Sequence, residues 1–367
     1  MFADVDLRQL AEMSAAERIF LTVYLSGPRS VRSLPGRFER LRRLLRAGGE
    51  RLGDERQHFD ENVRLVEQHL ERRPLESGGL CLVACWAEDL LRAVALPVPV
   101  ADGVHVDSSP FIRPLAELQE EYENAAVVVA DNARARIFLV SSAAAGDERR
   151  VRGDIKNRVK KGGWSQQRYE RRRDGELLQY ARDIVGRLAE LEREADFRRL
   201  VLVGGKEILR IVHDELPEHL KRAAGSRAVD LGRGPDELEQ EIWEQFSALE
   251  RQSERDLWER IRGEALSGGL GCTGAEEVHA ALQQGRVDTL LLARDHAAAG
   301  RRCRDCEQLA LEPVAACPAC GSSNLFAVDV ANELVEMAEK TAAEVDFVDP
   351  TPELTAAGGL AALLRWS

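Results

Sequence analysis

The chain of 367 residues has no apolar run of about 20 residues, the length a helix needs to cross a bilayer, so no transmembrane helix and no membrane partner are expected. Its opening, Met1-Phe2-Ala3-Asp4-Val5-Asp6, lacks the basic-then-apolar layout of a secretory leader, which predicts a cytoplasmic protein. Aromatic residues are few, at 5%, while Arg, Glu, Leu and Ala are abundant, a balance that favours a helix-rich α/β chain. Cysteine is scarce as well, and four of the seven fall in one cluster, which points to metal rather than to disulfides in a reducing compartment. No GTP-binding motif is present. Gly204-Gly205-Lys206, between a strand and a helix, matches neither the P-loop nor the dinucleotide fingerprint and reads as a tight turn rather than a phosphate cradle.

Positive charge is also in deficit, with 51 Lys and Arg against 63 Asp and Glu, for a net charge of -12. One segment reverses that balance. From Arg149 to Arg173 there are eleven Lys or Arg and two acids, Asp154 and Glu170, with Gly162-Gly163-Trp164 near the middle. A basic island on an acidic protein suits a polyanion, because Lys and Arg gain by displacing counterions from phosphates. A solvated surface loop would have the same composition, and charge alone does not choose between them.

In chain order, residues 18–26 read as a strand ended by Gly27-Pro28, and residues 34–47 and about 59–70 as the two arms of a helical hairpin broken at Gly48-Gly49. Leu80–Ala84 and Leu96–Val100 read as strands, and Cys81 and Cys85 as buried small residues, not ligands. A short helix ends near Tyr122. Residues 126–130 and 137–140 then flank Asp131-Asn132-Ala133-Arg134 in the manner of a β-hairpin. After the basic segment come a long amphipathic helix from about Gly175 to Phe197, a strand at 200–203, a helix through His213 and a strand at 228–231. Gly232–Pro235 is a natural boundary. A charged helix runs from there to about Leu266, followed by a helix at 274–282, a strand at 287–292, a helix at 332–341 and a strand at 345–348.

Cys303-Arg304-Asp305-Cys306 and Cys317-Pro318-Ala319-Cys320-Gly321 are two CxxC knuckles with ten residues between them. Each pair sets two thiolates on one tight turn, and four soft sulfurs suit tetrahedral zinc. Four thiolates leave no open position for water, so the expected role of zinc (Zn) is structural, held by Cys303, Cys306, Cys317 and Cys320.

These pieces, in this order, resemble the class-1 peptide release factors of archaea and eukaryotes and their Pelota relatives, and more closely the bacterial, Balon-like members of that superfamily. The likeness is most specific in Glu276-Glu277-Val278, Ala281-Leu282, Gly285–Leu292, the inserted cysteine knuckles and Gly358–Arg365. It implies a multidomain α/β protein. Residues 1–122 would form an α+β N-terminal domain with a helical hairpin, and residues 123–234 an α/β middle domain of release-factor type carrying the basic loop 149–173. Residues 235–367 would form an L30e-like α/β C-terminal domain with an inserted zinc ribbon at 300–326.

In that family the middle-domain loop carries Gly-Gly-Gln and enters the peptidyl-transferase centre, where it assists water in attacking peptidyl-tRNA. Here Gly162 and Gly163 are kept, Trp164 stands at the glutamine position, and Gln166 and Gln167 follow two and three residues late. An aromatic ring there would stack on an RNA base. The eukaryotic stop-codon motifs are not visible in residues 1–122.

The resemblance therefore implies a tRNA-mimicking factor that binds the ribosomal A site in hibernation or rescue. Lys156, Arg158, Lys160, Lys161, Arg168, Arg171 and Arg172 would meet ribosomal RNA beside Gly162, Gly163, Trp164 and Ser165. It would act as a monomer, with a translational GTPase as a further partner. The alternatives are a peptidyl-tRNA hydrolase using Gln166 or Gln167 and an RNA-binding adaptor working away from the ribosome.

Overall fold

The computed structural model describes residues 5–47, 53–75, 79–96, 98–121, 124–141, 155–156, 166–195, 197, 199–228 and 235–366. Contacts divide the chain into two compact units: residues 1–120 together with 256–367, and residues 121–255. The chain is thus a multidomain α/β protein.

The N-terminal part holds α1 (Leu7–Ala11), β1 (Phe20–Leu25), α2 (Pro28–Val31), α3 (Leu34–Ala47), α4 (Gly53–Arg72), β2 (Gly79–Cys85), β3 (Leu90–Leu96), β4 (Gly103–Asp107) and α5 (Arg113–Glu121). Its strands form one antiparallel sheet in the order β3-β2-β1-β4. The period of two in β1 sends Leu21, Val23 and Leu25 to one face, where they pack with Leu82 and Ala84 against Phe38 of α3 and Phe59 of α4. Those two rings meet edge-on at 6.3 Å. The other face of β1 receives the segment leading to α5: Tyr24 Oη donates to the carbonyl of Phe111 at 2.6 Å, and Thr22 Oγ1 accepts from its N–H at 3.0 Å. The strand expected at Leu96–Val100 lies earlier, at Leu90–Leu96, and residues 98–102 belong to no strand. Prolines at 97 and 99 explain the shift, since each removes a ladder donor.

The second unit holds β5 (Asn124–Ala130), β6 (Arg134–Ser141), β7 (Ile155–Lys156), α6 (Gln166–Ala195), β8 (Arg199–Gly204), α7 (Lys206–Glu215), α8 (Glu218–Ala223) and β9 (Ala224–Ala228). Sheet order is β7-β6-β5-β8-β9, with β5, β8 and β9 parallel. The expected hairpin is present, and Asp131 builds its turn by accepting the N–H groups of Ala133 and Arg134, both at 2.6 Å. Leu177, Tyr180, Ala181, Ile184, Leu188 and Leu191 recur at helical spacing along α6 and close the core over the sheet. One expectation is corrected here: the long helix begins at Gln166, not near Gly175. The last strand of this unit runs over Ala224–Ala228, and of the strand expected at 228–231 the residues 229–231 lie outside the described residues.

The C-terminal part holds α9 (Pro235–Ser267), β10 (Gly271–Thr273), α10 (Ala275–Gln283), β11 (Val287–Ala293), β12 (Ala299–Cys303), β13 (Leu309–Ala310), β14 (Leu325–Asp329), α11 (Val330–Lys340), β15 (Glu344–Val348), α12 (Pro352–Ala356) and β16 (Leu360–Leu364). A four-stranded sheet, β10-β16-β11-β15, packs on Leu257, Trp258 and Ile261 of α9. The crossover from β11 to the parallel β15 carries α11 and a small separate sheet, β13-β12-β14.

Polar clasps join the two halves of the first unit. Arg113, at the start of α5, donates to the carbonyls of Arg294 at 2.8 Å and His296 at 2.7 Å. In return Arg294 reaches Glu120, on the same helix, at 3.2 Å. No helix among the described residues is long and apolar enough to cross a membrane.

Candidate functional site: basic loop and cysteine centre

The basic segment leaves the sheet at its edge strand, where Lys156 pairs in register with Arg134 of β6, and it returns as α6. Gln166 and Gln167 are the first two residues of that helix, and Arg168, Arg171 and Arg172 lie in its first two turns. Arg158, Lys160, Lys161, Gly162, Gly163, Trp164 and Ser165 lie outside the described residues. Arg173 bonds Glu207 at 2.7 Å, and Glu207 also accepts from Asn132 of the hairpin turn at 3.0 Å. That pair marks where α6 passes the C-terminal end of β8. Seven helical residues precede Arg173, so the start of α6 extends about 10 Å further.

The turn at Gly204 proves to be a packing device. Gly204 has φ of 139°, and a Cβ there would lie 1.9 Å from the carbonyl oxygen of Ala130. Only glycine lets β8 and β5 approach so closely.

The four cysteines converge on one point, with all sulfurs within 4.8 Å of one another. Sγ of Cys303 lies 3.6 Å from that of Cys320, and Cys306 lies 3.5 Å from Cys317. Tetrahedral zinc with Zn–S bonds of about 2.3 Å needs sulfurs about 3.8 Å apart, so the donor set fits the ion. The two knuckles repeat one hydrogen-bonding plan. Cys303 N–H donates to Gln308 O at 3.0 Å, and Cys317 N–H to Ser322 O at 2.7 Å. Glu307 and Gly321 return bonds to the carbonyls of Cys303 and Cys317, each at 2.9 Å. Both residues are left-handed, at φ of 58° and 73°. Glycine adopts that conformation freely, whereas Glu307 holds it at a cost a bound ion would offset. Backbone N–H groups of Gln308, Ala319, Cys320 and Ser322 point at the sulfurs, as thiolates require.

Around the small sheet the two halves of the first unit share charge. Glu55 of α4 is 2% exposed and accepts from Arg18 at 2.8 and 3.1 Å, from the Arg18 backbone N–H at 3.2 Å, and from Arg304 of the first knuckle. Burial pushes the carboxyl of Glu55 up, but the bonds and charge of Arg18, with Arg304, outweigh it and hold Glu55 below its ordinary range. A second buried group of acids behaves in the opposite way. Burial, reinforced by the charge of Glu333, raises Asp107 to about 7 and Glu336 to about 8. Glu333 is raised as well, mainly by burial, although Arg302 sits 3.2 Å from it. Ser109 donates to Glu336 at 2.7 Å, as a protonated or ionised carboxyl both allow.

Sequence reading found the cysteines and missed these acids, because their partners lie far apart in the chain. It also missed a second basic stretch. Between Pro28 and Ala47 there are seven arginines and one acid, Glu39, and the structure leaves Arg29, Arg32, Arg40 and Arg43 exposed on α2, α3 and the turn between them. A count of charge over that window would have found it.

A family model described as bacterial archaeo-eukaryotic release factor family 10 matches residues 110–251. The chain is 27% identical over 333 residues to peptide chain release factor subunit 1 of Archaeoglobus fulgidus, covering 80% of each protein. It is 29% identical over 290 residues to the protein of the same name from Methanopyrus kandleri, covering 74% of this chain and 66% of that one. A crystal structure of the archaeal translation termination factor aRF1 superposes with a TM-score of 0.28 at 17% identity, over 98% of this chain and 96% of that one. The family match on the middle of the chain and the release-factor likeness along most of its length agree, and the chain is release-factor-like.

Proposed function

We propose that this protein is a translation factor that occupies the ribosomal A site in place of tRNA and acts in rescue or hibernation without decoding a stop codon. One observation carries this reading. A chain similar along 80% of its length to peptide chain release factor subunit 1 keeps Gly162-Gly163 but has Trp164 where the release-factor loop has glutamine. Glycines allow backbone to approach RNA, and a tryptophan supplies a stacking face, so the segment is built for contact more than for ester hydrolysis.

On this reading Lys156, Arg158, Lys160, Lys161, Arg168, Arg171 and Arg172 neutralise ribosomal RNA phosphates, and Trp164 stacks at the tip. The exposed arginines of the α2–α3 region support a second phosphate contact from the N-terminal part. The remaining features belong to the same proposal: a three-domain division at 122/123 and 234/235, an L30e-like C-terminal domain, zinc on the four cysteines, a monomeric state and a translational GTPase as partner. Cys303, Cys306, Cys317 and Cys320 would hold the ion, which fixes the knuckles in place.

Co-sedimentation with ribosomes at increasing salt tests the proposal. Binding is expected to weaken with salt, and Lys160→Glu with Lys161→Glu should lower affinity at least tenfold and flatten the salt dependence by about 0.9 per lost phosphate contact. Absence of ribosome association in lysates of both growing and stressed cells would overturn it. Release of labelled peptide from stalled ribosomes, abolished by Gln166→Ala or Gln167→Ala, would establish the hydrolase reading instead.

A further inference from the structure

The first cysteine knuckle does more than supply two thiolates. Its second residue, Arg304, is 12% exposed on its side chain and is directed out of the cysteine sheet onto Glu55, in the first turn of α4 and 249 residues away in the chain. The same guanidinium lies over the ring of Phe326 at 4.8 Å, and Arg18 approaches that ring from the N-terminal side at 5.7 Å. Phe326 belongs to the small core of the cysteine sheet, with Leu309 and Val328. One carboxylate, two guanidiniums and one ring therefore form a single buried junction, contributed equally by the N-terminal part and the cysteine minidomain.

The position of Arg304 depends on the knuckle. Its backbone N–H is tied to Asn324 O at 3.0 Å. Its neighbour Asp305 accepts from Asn324 Nδ2 at 3.1 Å and from Ser322 Oγ, which links the first knuckle to the chain just past the second. Besides these bonds and the turns of the two knuckles, residues 303–325 rest on a sheet with strands of five, two and five residues and a small core of Leu309, Phe326 and Val328 with Leu311 packed against it. So small an element does not hold one conformation unaided, and metal binding in such modules supplies the folding free energy. Glu55, in turn, is 2% exposed and takes its charge-balancing bonds from two arginines.

We propose that the four-cysteine centre is a metal-dependent latch on the N-terminal part. With the ion bound, the knuckle presents Arg304 to Glu55 and holds the start of α4 and the segment entering β1. With the ion removed, Arg304 is no longer positioned, Glu55 loses one of its two cations, and that corner of the N-terminal part opens. This inference rests on the metal reading of the cysteines and is independent of the ribosome reading.

The Arg18 amide is a direct reporter, since it donates to Glu55 Oε1. Hydrogen exchange should be followed by mass spectrometry on the full chain, loaded with one equivalent of zinc or stripped with a chelator. Peptides covering residues 17–22 and 55–63 are expected to exchange at least tenfold faster in the stripped protein, while peptides covering 126–130 and 200–204 of the second unit keep their rates. Glu55→Gln cannot touch the thiolates. It should keep full zinc content and still show the fast exchange, as should Arg304→Ala. Unchanged exchange at 17–22 and 55–63 in the stripped protein, or in Glu55→Gln with zinc retained, would overturn the latch. So would a purified chain that binds no zinc and is nonetheless protected at those peptides.

Discussion

Asn332 Oδ1, on α11, accepts the backbone N–H of Ile112 at 2.8 Å and that of Arg113 at 3.0 Å, so a side chain 220 residues downstream caps the start of α5. Its amide nitrogen simultaneously donates to Glu336 at 2.6 Å. Helix caps are usually local; this one ties two distant stretches of chain. Asn332→Ala leaves two N–H groups and a buried carboxyl without this partner. It is expected to destabilise the first unit by about 2 kcal/mol, with the loss read from urea unfolding followed by a probe in that unit.

Asp107 and Glu336 carry a pH signature. Both carboxyls are raised on folding, to about 7 and about 8, so between the ordinary carboxylate range and those values the folded state binds more protons than the unfolded one. Stability therefore falls as pH rises through that window and levels above about 8. Arg302 and Arg18 pull Asp107 back down and Lys340 does the same for Glu336, but burial and the neighbouring acids outweigh them. The midpoint of thermal unfolding should drop by several degrees from pH 5 to pH 8. Asp107→Asn with Glu336→Gln should flatten the curve.

For the cysteine centre, the expected metal content is one zinc per chain by elemental analysis. Cys306→Ser or Cys320→Ser should abolish tight binding. Cys85→Ala should leave it intact, because Cys81 and Cys85 are buried in β2 and outside the cluster.

Gly204→Ala should be severe for a substitution of one methyl group. The added carbon would meet the Ala130 carbonyl, and φ of 139° is closed to alanine, so the cost is expected at about 3 kcal/mol or more in the second unit. Gly175→Ala is the contrast. It sits inside α6 with nothing within 4 Å of where the methyl group would stand, and the substitution should stabilise by up to about 1 kcal/mol. Urea unfolding followed by a probe in the second unit reads both.

Much of this architecture was legible in order. The hairpin at 124–141 announced itself through its apolar runs and the Asp131 turn, and the cysteine cluster through spacing alone. Other elements were not. The strand at Ala224–Ala228 is Ala-Gly-Ser-Arg-Ala, with no β-forming residue, and its conformation comes from pairing with β8. The first turns of α6 are so rich in charge that no apolar stripe marks them. The partners of Glu55 and Asn332 lie beyond the reach of any local pattern, since tertiary contact alone brings them together.

The pairing of residues 1–120 with 256–367 bears on the order in which the newborn chain matures. Translation delivers the second unit whole before α11 exists, so residues 121–255 can finish folding while the amino-terminal sheet still waits for Asn332 and Arg304. A message truncated before those codons would yield a molecule with a sound middle and an unfinished start, a natural substrate for proteolytic clearance.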